Sequence, residues 1–577
     1  MEQKQQLNLK STFKMKYILT FCLTICAFTS FSQEDKKVQF VGGARSIISN
    51  ADFSSDQEDT VTSRKNSGGY ALIDLGFKIN PNASTEILGM VRIKNAFGGF
   101  WGSGVTFDVR QIYVKGVVKN ALRYQIGNID YKLTPYTFYN HNADLLVQSS
   151  SVLKIKEEVL NYESFYKNNT WRQQGAAIDF ALQFPKVVDE IKVNAFITRL
   201  NPSNLGNILE RLYGGGNVIF TQSKYLTLGF NHVSIFDLKN TALNENAYRN
   251  NVSSVSYKAT LDLKKHIFGI SGESGISSSA LSLDTTGGLT DYFINVQANF
   301  QHKPSGLKAH LGYMDNGADF RSFGAQSKRV DFNQLNNFYE RYTNDQIIRP
   351  LSNYDLYNDP TLYSNSITTG IMAYNPAVNN VLPYGIATFN RRGLFAGLTV
   401  SNKKESIKLD AKYYRLGEVR GQGTTKLRNF NSVNANLEFN FSKMFNWKKE
   451  QKLTAGYAFQ DTKRTSDFSF EQIALKSTTL NLGLEMELVD DLYLLANSYY
   501  FKSKGNESMP VRNAEGEIIN YTAMNISGEE LCLAGGLKYN FTPSIYLAAI
   551  YESNTNSFSS VSSYRYNQFY IYYIMKF

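Results

Sequence analysis

Four cations and two carboxylates in this chain stand where they could act together on a charged solute. Arg92 and Lys94, Arg110, and Arg123 each alternate with apolar neighbours, and Asp74 and Asp108 hold equivalent places in the same region. Side chains of an extended chain change face at every residue, so each of these groups lies opposite an apolar stripe. On adjoining strands they form a basic ladder beside acids. Such a ladder raises the local concentration of anions and sets a field across any opening it lines. The alternative is that the cations simply neutralise the neighbouring acids.

Other chemistries find little support. The five histidines, His141, His232, His266, His302 and His310, have no metal-ligand spacing. Gly272-Glu273-Ser274-Gly275 lacks the spacing of a nucleophile elbow, and neither a phosphate loop nor a zincin helix is present. Asp315-Asn316-Gly317-Ala318-Asp319 reads as a polar turn before it reads as a calcium loop. No catalytic residue, metal, cofactor or nucleic-acid partner is therefore expected, and the protein is not expected to be an enzyme.

The elements that position the ladder are strands of about ten residues. Ala71, Ile73, Leu75, Phe77 and Ile79 oppose Tyr70, Leu72, Asp74, Gly76 and Lys78; Ile87, Gly89, Val91 and Ile93 oppose Glu86, Leu88, Met90, Arg92 and Lys94. Phe107, Val109 and Tyr113 are expected on one face, with Asp108 and Arg110 on the other. Leu122, Tyr124 and Ile126 oppose Arg123 and Gln125. The pattern runs on to a last strand in which Phe569, Ile571, Tyr573, Met575 and Phe577 make one apolar and aromatic stripe. One such strand fits a soluble sandwich. About 22 of them (18 to 24) with few helices to cover their apolar faces predict a closed antiparallel transmembrane β-barrel, polar inside and apolar outside.

Composition agrees. Mean hydropathy is −0.31, which argues against helical spans, while Tyr (37) and Phe (39) are frequent and Pro (11) is scarce. The one long apolar run, Tyr17 to Phe31, follows Met15-Lys16 and precedes Ser30-Phe31-Ser32, the pattern of a secretory leader over 1–32 that starts at Met1 or Met15. The leader takes Cys22 and Cys26 with it, so Cys532 stands alone and no disulfide framework is expected. Residues 33–577 then read as a single barrel domain. Short links alternate with longer polar ones, which predicts short periplasmic turns and long extracellular loops. Two links, Asp130 to Gln174 and Asn316 to about Arg392, are long enough to fold into the bore or to remain as surface loops; Ile155 to Leu160 is a helix candidate in the first.

The strand train, the leader and the terminal aromatic strand together resemble the porin-like β-barrels of Gram-negative outer membranes. The resemblance implies an outer-membrane location among lipid and lipopolysaccharide. It also implies barrel-assembly machinery that reads Phe569, Ile571, Tyr573, Met575 and Phe577, and passive passage of small polar or anionic solutes. Asp108 to Gly116 (D-V-R-Q-I-Y-V-K-G) with Leu122 to Asp130 (L-R-Y-Q-I-G-N-I-D) is similar to the early strands of porins of the alginate-export and phosphate-selective type. That similarity implies lumen positions for Arg110 and Arg123, in a chain longer than is usual for such porins. The alternative function is a non-conducting barrel that serves a secretion, adhesion or motility complex, or a homo-oligomer, through its loops.

Overall fold

Strands rich in aromatic and β-branched residues leave polar edges that must be paired, and in lipid only closure pairs them all. The computed structural model describes residues 37–55, 64–97, 104–185, 188–243, 246–283, 288–332, 352–358, 360–512, 518–558 and 561–577. The leader expected over 1–32 lies outside them. The described residues contain one 22-stranded sheet. Its strands are β1 Val38–Ser55, β2 Arg64–Asn82, β3 Thr85–Ala96, β4 Val105–Val118, β5 Leu122–Tyr131, β6 Trp171–Gln183, β7 Glu190–Asn201, β8 Glu210–Thr221, β9 Leu226–Leu238, β10 Tyr248–Leu263 and β11 His266–Leu281. They continue as β12 Leu289–His302, β13 Leu307–Asn316, β14 Arg391–Ser401, β15 Ile407–Gly417, β16 Asn429–Asn440, β17 Gln451–Arg464, β18 Ile473–Val489, β19 Leu492–Arg512, β20 Ile518–Thr542, β21 Ile545–Phe558 and β22 Val561–Lys576.

Neighbours are antiparallel throughout, and β1 closes the ring on β22 from Gly43 opposite Lys576 to Ser55 opposite Tyr564. Two further bonds lock the seam: Gly42 N donates to Phe577 O at 2.9 Å and Phe577 N to Gly42 O at 3.1 Å. The alternation of short and long links matches the sequence-based expectation, whereas the strands, from 10 residues in β5 to 25 in β20, mostly run longer than the ten or so expected.

The two faces also match it. Ile73 and Phe77 are 48% and 41% exposed, whereas Leu72 and Asp74, on either side of Ile73, are 4% and 0% exposed. Phe107, Val109, Ile126, Ile178, Leu182, Leu480 and Leu482 are likewise bare on the outside. An exterior of this kind suits lipid, not water.

One face assignment needs correction. Met90 pairs with Gln111 but Val91 pairs with Val109, so Arg110 is an extra residue on β4. Such a bulge shifts the alternation by one. Ile112 therefore faces out, and Tyr113, expected beside Phe107 and Val109, turns inward and donates to Glu86 Oε1 at 2.7 Å.

The lumen is occupied by the chain itself. The first long link, 132–170, and the described residues of the second, 317–332, 352–358 and 360–390, fold inward. The first carries helix α1, Ser151–Glu163, longer at both ends than the sequence suggested. Ser150 Oγ caps it by accepting from Leu153 N at 3.4 Å. Its buried Val152, Ile155 and Val159 fall on one face and pack against Ala548, Ile550, Tyr570, Tyr572 and Ile574 of the wall. The same link wedges Phe138 and Tyr136 into the opposite wall, stacked on Phe196 at 4.7 Å and Phe293 at 4.1 Å, where Phe320 and Phe323 of the second link join them. Where these segments pack, the inner faces of the strands become a core in which Phe293, Ala548 and Ile550 are fully buried, while Asp108 and Arg123 elsewhere on the wall stay exposed.

Candidate functional site: the basic wall beneath the plug

Part of the ladder expected from the sequence, Asp74, Arg92, Lys94 and Arg110, assembles on β2 to β4 around the end of α1, and Arg45 of β1 joins it. Arg92 on β3 holds Asp74 of β2 in a two-point fork, Nε to Oδ1 and Nη2 to Oδ2, each at 2.7 Å. Two parallel charge-assisted bonds of this kind are short and fix orientation as well as charge. Arg92 also reaches Glu163, the last residue of α1, at 2.5 Å from Nη1 and 3.1 Å from Nη2. Arg45 on β1 donates to Tyr70 Oη at 3.0 Å and pairs with Glu163.

Arg110, on the bulge of β4, lies 3.2 Å from Asp74 Oδ2 and donates to the carbonyl oxygen of Tyr162. Its guanidinium is sandwiched between the rings of Tyr162 and Phe165, 4.3 Å from each centroid. A cation over aromatic faces at the carbonyl end of a helix is doubly favoured. The hydroxyl of Tyr162 donates in turn to Asp74. Burial pushes the Glu163 carboxyl up; the hydrogen bond from Arg92 and the charges of Arg45 and Arg92 more than reverse this and hold it at about 2.

Three guanidinium groups therefore share two carboxylates, and Lys94 stands by with its Nζ 4.6 Å from the Tyr70 ring centroid. Two expected members lie elsewhere. Arg123 pairs with Asp179 across β5 and β6. Asp108 stands in register opposite Arg92 with an exposed side chain, while the Arg92 fork turns to Asp74.

Arg45 and Glu163 were not singled out from the sequence. Arg45 was legible, because it shares the inner face of β1 opposite Leu72. Glu163 carried no local signal, since the fold of the link alone delivers it. The stripe of Phe569, Ile571, Tyr573, Met575 and Phe577 lies on the outer face of β22, with Phe569 and Phe577 exposed.

Cavities descend this side of the lumen. One of about 450 Å³, towards the long loops, is lined by Arg45, Tyr70, Arg92, Lys94 and Glu163. A second of about 380 Å³ shares Arg45 and adds Arg110, Tyr162, Phe165 and Arg172. A third of about 970 Å³ opens at the short-turn end among Lys78, Glu86, Lys115, Arg123, Asp130 and Asp179.

The remaining candidates have structural partners. Asp315 pairs with Arg392 and Asp319 with Arg420, so both carboxylates of the polar turn are engaged. His266 and His302 meet across β11 and β12 with ring centroids 4.9 Å apart. Among the described residues no group of three or more His, Cys, Asp or Glu side chains comes together as a metal site would require.

No protein-family model matches the chain, and no curated protein is similar to it. Among solved structures the matches include porins. OccK5 (OpdH) of Pseudomonas aeruginosa is 8% identical with a TM-score of 0.35 over 93% of this chain and 98% of its own. OpdK of the same organism is 10% identical with a TM-score of 0.34 over 93% and 100%. A BenF-like porin of Pseudomonas fluorescens Pf-5 is 10% identical with a TM-score of 0.32 over 93% and 99%. TM-scores this low decide nothing about function. The closed ring of 22 strands with an apolar exterior is itself what defines a large porin-like β-barrel.

Proposed function

We propose that this barrel is an outer-membrane channel through which small polar or anionic solutes pass passively along the wall formed by β1 to β4. The observation that carries this reading is the excess of positive charge where Arg45, Arg92 and Arg110 converge on Asp74 and Glu163 between two cavities. Anions gather where cations line a low-dielectric passage, and several weak sites let them leave again. Lys94 extends the basic surface upward, and Arg123 with Lys78 and Lys115 extends it towards the short turns. Asp74 and Asp108 temper the field. In the same reading the short turns face the periplasm, and Phe569, Ile571, Tyr573, Met575 and Phe577 are the stripe read by the barrel-assembly machinery, a role supported by their place in the strand that closes the ring.

Single-channel recording of the refolded chain in a planar bilayer under a salt gradient tests the proposal. The expected result is a stable current whose reversal potential favours anions, moved towards cations by Lys94→Glu with Arg110→Gln. A folded, heat-modifiable barrel that carries no current, with or without the two inner links, would sink it. That outcome would favour a non-conducting partner barrel, a reading supported by the packing of the first link and of the described residues of the second against the inner wall.

A further inference from the structure

The short-turn rim carries a charge pattern unrelated to the lumen. The turns 222–225, 264–265, 303–306, 402–406 and 441–450 follow one another around the ring from β8 to β17. They hold Lys224, Lys264, Lys265, Lys303, Lys403, Lys404, Lys443, Lys448 and Lys449 against Glu405 and Glu450 only. Among the described residues, no carboxylate lies within 4.0 Å of Lys224, Lys264, Lys265, Lys403, Lys404 or Lys448. The other lysines of this arc are partnered: Lys303 by Asp262, Lys443 by Glu405 and Lys449 by Asp490. At the opposite end of the same strands, 465–472 carries only the acids Asp467 and Glu471, and in 418–428 the cations Arg420 and Arg428 are paired, with Asp319 and with Glu418 and Glu507.

Bare aromatic rings accompany these lysines. Tyr225 and Phe268 are exposed beside Lys224 and Lys265, and Phe445 and Trp447, 55% and 49% exposed, stack at 5.2 Å between Lys443 and Lys448. Aromatic rings at the level of lysine ammonium groups mark the boundary between hydrocarbon and headgroups. An acidic protein partner would account for the lysines but not for exposed rings interleaved with them, of which Phe268 shares the outward face of its strand with Ile270. A bilayer leaflet accounts for both, and its chemistry is that of a phosphodiester with net negative charge.

We propose that this arc of the short-turn rim, from β8 to β17, is a docking surface for the headgroups of anionic phospholipids. The inference rests on the membrane placement of the barrel and not on conduction. Each surface lysine that engages an anionic leaflet strengthens binding by about fivefold, and the effect fades with salt as exposed charges are screened.

The test is reconstitution of the full chain into nanodiscs of equal parts phosphatidylethanolamine and phosphatidylglycerol, followed by mass spectrometry of the lipids that stay bound on extraction. The expected result is an enrichment of phosphatidylglycerol of about fivefold or more. High salt should abolish it. So should replacing Lys224, Lys264, Lys265, Lys403, Lys404 and Lys448 by Gln, while replacement by Arg should preserve it. Equal retention of both lipids by the unaltered protein would overturn the inference, with no variant needed. A chain that inserts into neither lipid would instead overturn the membrane placement, so the two failures are distinct.

Discussion

Glu163 and Asp74 are held by one side chain: Arg92 grips the wall carboxylate at 2.7 Å and the carboxylate of the plug helix at 2.5 Å. The first contact lies between neighbouring strands, while the second ties α1 to the barrel. The basic wall is thus both the candidate solute surface and the dock for the segment that covers it. Any solute anion that uses Arg92 competes with a tethered carboxylate.

Glu163→Gln is expected to loosen the end of α1 without disturbing the ring. Charge-assisted hydrogen bonds contribute about 1.5–3 kcal/mol each, and the partial exposure of Glu163 puts the loss at the lower end of that range. Channel noise and protease sensitivity within 132–170 should rise, while heat-modifiability of the barrel should not change. Identical noise and cleavage in both proteins would show that Glu163 does not hold the plug.

Acid should act on the same contact late. The Glu163 carboxyl is lowered from a free value of 4.5 to about 2, so its docking contribution is fully present above 4.5 and is lost as pH falls through about 2. Current recorded from neutral pH down to pH 4.5 should keep its amplitude and gating, with plug release appearing only near pH 2. Release already complete at pH 4.5 would contradict the assignment.

The two inner links are joined by Lys328, whose buried ammonium donates to Asp144 and to the Pro383 carbonyl, each at 2.9 Å. Breaking a buried pair from one side leaves an uncompensated charge and costs about 3–5 kcal/mol. Lys328→Met or Asp144→Leu alone should destabilise the plug by that order. The double variant should be less affected than either single one, as followed by urea-dependent exposure of the links to protease. Additive losses would show that the pair is not coupled.

Phe138 is fully buried and stacks on Phe196 at 4.7 Å with an interplanar angle of 10°. Phe138→Ala should cost about 3–5 kcal/mol of packing, nearly all of it in the attachment of the first link to the wall. Conductance should rise in bilayers, as it should on deletion of the inner part of that link. An unchanged conductance would mean that the link stays seated on α1 alone.

The fold was legible because strand alternation is local. Ile73 and Asp74 declare opposite faces from their immediate neighbours, and repetition of that choice along the chain implies closure, since a sheet with bare apolar faces cannot end in an edge. Arg92, Lys94 and Asp74 were found on the inner wall by the same reasoning.

Position in space was another matter. The inward turn of Tyr113 depends on one extra residue at Arg110, visible only once β4 is set against β3. The arrival of Glu163 among Arg45, Arg92 and Arg110 depends on where a long link comes to rest, which local periodicity does not encode. Alternation along each strand, a matter of backbone geometry, determined the barrel from the sequence by itself. Contacts between residues far apart in the chain, decided only when apolar side chains of α1 and the aromatic wedges found the inner wall, determined that the barrel is filled and which cations its own plug engages.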